Sequence, residues 1–385
     1  MYGVVIALAL FITTSTALAN IAVAVGVLFI ALEFFRTKKL PKFDTEILKV
    51  LAIYFAAQVF IAIMSLNPAV SFREVAGESH RFLPLIFAMT FIKSKSQLRD
   101  VLIVILITSF VNEIVGLVQY FILGETRAYG LNKWATFFSS IVLMQILIQI
   151  FISQLEIMPK FWRILSVISC LLAAIALIAS LTRISWITAF VVAIIFIFME
   201  KRYRTIAIKI LSVLLTVFII VLMSSPFLLD RFKTIYDVNF QGNHERVLMW
   251  ESSLKIFEDY PLHGIGQNMF RDVYNGEYIS EDAVESWHSQ AHNNIINTAV
   301  ERGIIGIIAF FILYGYFFRR FFIQFKKEQN MKFSAGLTAF LIAVAIHFAG
   351  LTETNLSLSI IIREFWFFSG ILIAAHPILN FDFED

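Results

Sequence analysis

Three side chains in this sequence could do acid–base and anion chemistry: His292 in SWHSQAHNN, Arg183 in LTRISW and Arg246 in HERVLMW. An imidazole can take a proton from a hydroxyl near neutral pH. A guanidinium suits phosphate, because its planar fork bonds two oxygens at once and stays charged. The stretch from Ser286 to Gly306 joins a polar segment to an apolar run. Read as a helix, it puts His292, Ala299, Gly303, Gly306 and Phe310 within about 20 to 40° of one line. Two glycines in a helix interior, each costing roughly 1 kcal/mol against alanine, predict close packing by a neighbouring helix. The apolar run ends near Phe318, so a hydrocarbon core would have its outer edge near Ala299 and His292 about 10 Å above it. That is headgroup depth, where a lipid-linked phosphate would lie.

Each residue also has a plainer reading. Arg183 could be an interfacial arginine at a tight turn between two apolar runs. Arg246 could stack on Trp250 one turn later, or pair with Glu245 or Glu251. His292 could be an ordinary interfacial histidine. His288 and His292 stand i, i+4 on the expected helix, but HSQAH lacks the glutamate of a zincin motif and only Glu285 offers a third ligand. No metal and no other cofactor is expected. His80 and Arg81 open the expected fourth span on its outer side and are taken as secondary substrate contacts. His347 reads as a packing residue, and Glu353 and Arg363 as a structural pair near the last external turn.

Composition sets the class. With 59% apolar and 15% charged residues and a mean hydropathy of +0.80, the chain cannot be a soluble globular domain. Its apolar runs far exceed strand length and do not alternate, which argues against an outer-membrane barrel. The one cysteine, Cys170, permits no internal disulfide. The formal charge of +3 matters less than its distribution, and no nucleic acid is expected as a partner. Ala17-Leu18-Ala19 resembles a signal-peptidase site, but no basic residue precedes the apolar run, so cleavage is not expected.

The expected fold is all-α and polytopic, with about twelve transmembrane helices surrounded by membrane lipids. Residues 1–224 would hold nine spans, 225–291 a small helical loop domain, and 292–385 the last three spans. Every second connection is basic and should face the cytoplasm, which leaves the 225–291 segment outside. Within it, His244 to Asp259 carries Val247, Trp250, Leu254 and Phe257 at helical spacing, and Pro261 stops that helix. An amphipathic helix lying over the opening of the membrane domain is expected.

His292-Asn293, nine further residues, Gly303, two residues and Gly306 together match the signature of the O-antigen ligase family, which the chain resembles. Arg246, Trp250, Pro261, Gly264 and Gly266 resemble its pattern of arginine, tryptophan and a Pro-x-x-Gly-x-Gly turn, and SLTRISW resembles its arginine-bearing turn. The resemblance implies that His292 is the essential histidine and that Arg183 and Arg246 hold a donor pyrophosphate. It also implies substrate-binding roles for Asn293, Trp250, Gly264 and Gly266. The family implies a metal-independent, inverting glycosyltransferase in the bacterial inner membrane, with its active site facing the periplasm. The implied donor is a glycan on undecaprenyl pyrophosphate and the implied acceptor a sugar hydroxyl of the lipid A core. The alternatives are an O-antigen or capsular polysaccharide polymerase, a protein O-oligosaccharyltransferase of the same superfamily, or a small-anion transporter.

Overall fold

The computed structural model describes residues 1–285, 287–329 and 334–380, and among them every regular element is helical. The chain begins with α1 (Tyr2–Phe11), α2 (Thr16–Thr37), α3 (Thr45–Met64), α4 (Pro68–Ser79) and α5 (Leu83–Phe91). It continues with α6 (Lys95–Phe121), α7 (Ala135–Gln154), α8 (Lys160–Ala179), α9 (Arg183–Met199) and α10 (Arg204–Ser224). The polar segment carries α11 (Pro226–Lys233), α12 (Gln241–Asp259) and α13 (Phe270–Val273). Last come α14 (Asn294–Lys327), α15 (Ala335–Ala349) and α16 (Ser359–Asn380). Several starts follow from local chemistry. The side chains of Ser15, Asp44, Asn67, Ser94 and Ser334 accept from first-turn N–H groups that no helix can pair internally.

Among the described residues eight helices are long and apolar enough to cross a membrane: α2, α3, α6, α7, α8, α10 with its preceding turn, α14 and α16. Helices α1, α9 and α15 are apolar but shorter. Over the span expected near 80–93 the chain instead makes a 3-10 turn, His80–Phe82, and then α5, with Pro84 in its first turn. By itself α5 reaches only about 14 Å, against about 30 Å of hydrocarbon. Burial ranks the helices: 83% of the most apolar window of α16 is buried, against 6% for α10. So α16 is the centre of the bundle and α10 belongs to its rim, with its apolar side chains left for lipid. Trp366 of α16 lies 4.6 Å from the Phe82 ring, 4.8 Å from Phe317 and 5.8 Å from Tyr314, joining α16 to α14 and to the turn before α5.

The backbone of α14 is interrupted. At Gly303 it takes φ 59° and ψ −162°, a region that residues with a Cβ avoid. The turn after α12 fills the interruption. Ile304 N–H donates to the Pro261 carbonyl (2.8 Å) and Ile305 N–H to Leu262 (3.1 Å). In return Ile265 N–H donates to Val300 (3.0 Å) and Gly266 N–H to Glu301 (2.9 Å), so the freed backbone groups are paired. A Cβ on Gly303 would fall on the Leu262 carbonyl, and one on Gly264 on the Val300–Arg302 backbone. Gly306 has a different part: a Cβ there would fall on that of Arg302, whose guanidinium reaches Glu78 (3.1 Å) and the Tyr54 hydroxyl (2.6 Å). Where an unbroken helix with Gly303 and Gly306 facing a neighbouring helix is expected, the structure has a break locked by a loop.

Helix α12 spans the expected stretch but buries another face. Glu245, Leu248, Met249, Ser252, Ser253 and Ile256 are buried, whereas Val247 and Leu254 are exposed and Trp250 and Phe257 half-buried. The reason is its seat against α14, where Met249 and Ile256 join Ile265, Phe270, Tyr274 and Val300 in one cluster.

The lock predicts a sharp difference between two glycines of α14. Gly303→Ala should lower the thermal unfolding midpoint in detergent, because the backbone strain alone costs on the order of 1–3 kcal/mol. Gly315→Ala, which meets open space inside α14, should keep or raise it, since alanine is the better helix former. Equal midpoints for the two variants would show that the break needs no glycine.

Candidate functional site

The end of α6, the starts of α7, α9, α14 and α16, and the end of α15 come together at one end of the bundle, and the expected chemistry sits on their connections. His292 is not on a helix. Asn293 caps α14, its Oδ1 accepting from Ile295 (2.9 Å) and Ile296 (3.1 Å), and this leaves His292 outside with φ 48°. The residue before it is gripped from both sides: Trp250 Nε1 donates to the Ala291 carbonyl (2.9 Å), and Ala291 N–H donates to Asn297 Oδ1 (3.0 Å). Asn293 Nδ2 donates to the Leu351 carbonyl (2.9 Å) and Asn294 N–H to Gly350 (2.7 Å), which ties the histidine loop to the α15–α16 connection. Trp250 and Asn293 thus position His292 through the backbone.

That connection supplies a residue the sequence reading set aside. Glu353 presents one oxygen to Arg246 Nη2 (3.1 Å) and the other to His292 Nδ1 (3.5 Å). The Glu353 side chain is 16% exposed and that of His292 40%, so the carboxylate is withdrawn and the imidazole reachable. A carboxylate facing Nδ1 favours the tautomer with a proton there, which leaves the Nε2 lone pair open.

Around this pair the structure gathers four arginines. Arg183 donates to the Thr234 carbonyl (2.5 Å) and Asn243 Oδ1 (3.0 Å), and its guanidinium lies 5.0 Å over the Phe240 ring. Arg231 stands 5.9 Å from the same ring and donates to the Leu181 carbonyl (3.3 Å). Arg127 donates to the Ser180 carbonyl (2.8 Å) and Thr182 Oγ1 (2.9 Å), beside Arg183 in sequence. Among the described residues, Arg127, Arg183 and Arg231 make no ion pair. Burial pushes Arg127 below the usual arginine range and Arg231 adds to this, while Glu353 opposes it. Burial, then the charge of Arg246, pushes Arg231 down in the same way. Four guanidinium groups around one carboxylate leave uncompensated positive charge in a half-buried place, which is the electrostatic signature of an anion site.

The other expected residues lie elsewhere. His80 Nε2 accepts from Arg363 (3.0 Å), and Arg81 pairs with Glu74 (2.8 Å) and reaches the Ser357 carbonyl (3.4 Å). Neither touches His292, Arg183 or Arg246 among the described residues. So Arg363 pairs with His80, and Glu353 with Arg246 and His292, in place of the expected Glu353–Arg363 pair. Gly264 and Gly266 are enclosed by backbone of α14 and by Ser65 and Ser71. His288 and His292 are not i, i+4 on a helix. Their rings are 6.3 Å apart in the loop, and Glu285 lies 3.8 Å from His288 Nε2. Among the described residues no group of three or more His, Cys, Asp or Glu is placed to hold a metal ion.

An imidazole, a carboxylate and a group of guanidiniums at the bundle end are what transfer from a phosphate leaving group would need. A family model described as O-antigen ligase matches residues 168–311. Over this segment the chain is similar to the O-antigen ligase family. The matched segment contains Arg183, Arg231, Arg246 and His292, while Arg127 and Glu353 reach the site from outside it. No curated protein matches the chain. Arg127, Arg231 and Glu353 carried no local signal, because only contacts far apart in sequence bring them to the histidine.

The unpaired arginines predict that inorganic pyrophosphate raises the unfolding midpoint of the purified protein, since a ligand bound only by the folded state stabilises it. The rise should be lost in Arg231→Ala and in Arg183→Ala. An equal rise with sodium chloride at matched ionic strength would mean general screening and no site.

Proposed function

We propose that this protein is an O-antigen ligase, a glycosyltransferase that moves a glycan from undecaprenyl pyrophosphate to a sugar hydroxyl of lipid A-core. The reading places it in the bacterial inner membrane with the arginine cluster on the periplasmic side. The observation that carries the reading is the shared carboxylate: Glu353 joins the imidazole of His292 to the guanidinium of Arg246, with Arg183 and Arg231 alongside.

The chemistry follows from the parts. His292 Nε2 takes the proton of the acceptor hydroxyl as its oxygen bonds to the anomeric carbon. The bond from that carbon to the pyrophosphate oxygen breaks, and its electron pair leaves with the lipid pyrophosphate. Attack opposite the leaving group inverts the anomeric centre. Negative charge grows on the departing oxygen, and preorganised guanidiniums meet it at a value of about 2 to 4 kcal/mol for each well-placed donor. Glu353 holds the imidazole in the useful tautomer and favours the imidazolium that forms, the task of the buried acid in a nucleophile–base–acid arrangement. No metal has a role in this scheme.

The test is transfer from undecaprenyl-pyrophosphate glycan to rough lipopolysaccharide by purified protein. His292→Ala should abolish product while leaving the unfolding midpoint intact. Glu353→Gln should keep donor affinity and slow the transfer step by about 10²- to 10⁴-fold, the usual worth of a well-placed general base. Arg183→Lys should also fail, because a point charge does not reproduce the fork. Wild-type product in His292→Ala would overturn the base assignment, inhibition by EDTA would overturn the metal-free scheme, and a lengthened lipid-linked glycan would point to a polymerase.

A further inference from the structure

A cavity of about 320 Å³ lies between α4 and the loop that leads to His292. Its lining includes Arg73 and Glu74 from α4, Asn268 and Asp272 from the α12–α13 region, and Trp287 and Gln290 from the histidine loop. The lining holds two carboxylates, each already paired with an arginine: Asp272 with Arg271 (2.9 Å) and Glu74 with Arg81 (2.8 Å), which leaves Arg73 as the one lining charge without an ion pair among the described residues. One free guanidinium beside two carboxylates differs from the arginine cluster, where four surround one, so the cavity is poorly suited to a phosphate. Its polar lining is equally poorly suited to a lipid chain.

Trp287 is 60% exposed and lines this cavity, so its indole is open to a ligand, and the backbone of its loop is fixed. Asn275 fixes it, accepting from His288 N–H (2.9 Å) and donating to the His288 carbonyl (3.0 Å). His288 turns inward, 6% exposed and edge-on to Tyr274, while its neighbour Trp287 turns out. Among the described residues the side chains of Arg73, Asn268, Trp287 and Gln290 have no hydrogen-bond partner. They offer guanidinium, amide and indole donors and two amide acceptors to whatever enters. A pyranose has one face of C–H groups and a rim of hydroxyls. A flat indole beside amide and guanidinium hydrogen-bonding groups matches both, and the volume falls in the range of small-ligand sites.

We propose that this cavity is a carbohydrate-binding subsite, with Trp287 as the platform under a sugar ring and Arg73, Asn268 and Gln290 as the hydroxyl-binding groups. The proposal rests on the glycosyltransferase reading, and the cavity shares its loop with the imidazole, since Gln290 stands two residues before His292. The sugar has two sources in that reaction: the acceptor, and the glycan carried by the donor.

Saturation-transfer NMR on the whole protein in detergent separates them. One arm uses delipidated, dephosphorylated core oligosaccharide, and the other uses the repeat-unit oligosaccharide freed from its lipid carrier. Transfer to ring protons is expected in one arm, with affinity falling about tenfold in Trp287→Ala and largely kept in Trp287→Phe, since a phenyl ring retains a stacking face. The stabilisation by inorganic pyrophosphate serves as the folding control for both variants. Binding of core oligosaccharide assigns the cavity to the acceptor, and binding of the repeat unit assigns it to the donor. No transfer in either arm, or transfer untouched by Trp287→Ala, overturns the proposal even if the enzyme ligates normally. Trp287-dependent binding without ligation would instead leave the sugar site standing and remove the ligase reading.

Discussion

The site depends on one carboxylate with two partners. Glu353 draws Arg246 from α12 and His292 from the loop before α14 to the connection between α15 and α16, across 107 and 61 residues of sequence. Breaking such a half-buried pair leaves a charge without compensation, which costs more than the pair itself contributes. The same carboxylate is too little to neutralise the guanidiniums around it. The result is an ordered histidine beside an unsatisfied positive field, and both properties come from one side chain.

The carboxylate can do this only because the backbone beneath it is fixed. Trp250 and Asn297 hold the peptide groups of Ala291, the Asn293 side chain ties the loop to the Leu351 carbonyl, and the Pro261–Gly266 turn holds α14 where Gly303 interrupts it. A strained φ at His292 and a strained pair of angles at Gly303 lie eleven residues apart on the same segment. Each persists because several hydrogen bonds over-determine it, as expected where geometry serves function. The glycine-rich turn and Gly303 of α14 are one structural device seen from its two halves.

Much of this was legible in the sequence, and the remainder failed for identifiable reasons. Composition and the length of the apolar runs required a helical membrane protein, and the spacing from Val247 to Phe257 with Pro261 after it marked α12 to within three residues at its start. Residue chemistry singled out Arg183, Arg246 and His292, and the structure brings these near one another. The helix through His288 and His292 was misread because period outweighed capping: two asparagines after a histidine are a start signal, and Asn293 is the cap. The buried face of α12 was misread because packing against α14, and not the apolar stripe, decides it. Arg127, Arg231 and Glu353 were out of reach, since a lone charge on a connection looks the same whether it meets water or a partner from across the fold.

The measurement that bears most directly on the central claim is an experimental structure with a prenyl-pyrophosphate glycan bound. The account predicts the two phosphates among Arg183, Arg231 and Arg246, with the anomeric carbon on the His292 side of them. Phosphates seated instead beside His80, Arg81 and Arg363, away from the imidazole, would contradict it.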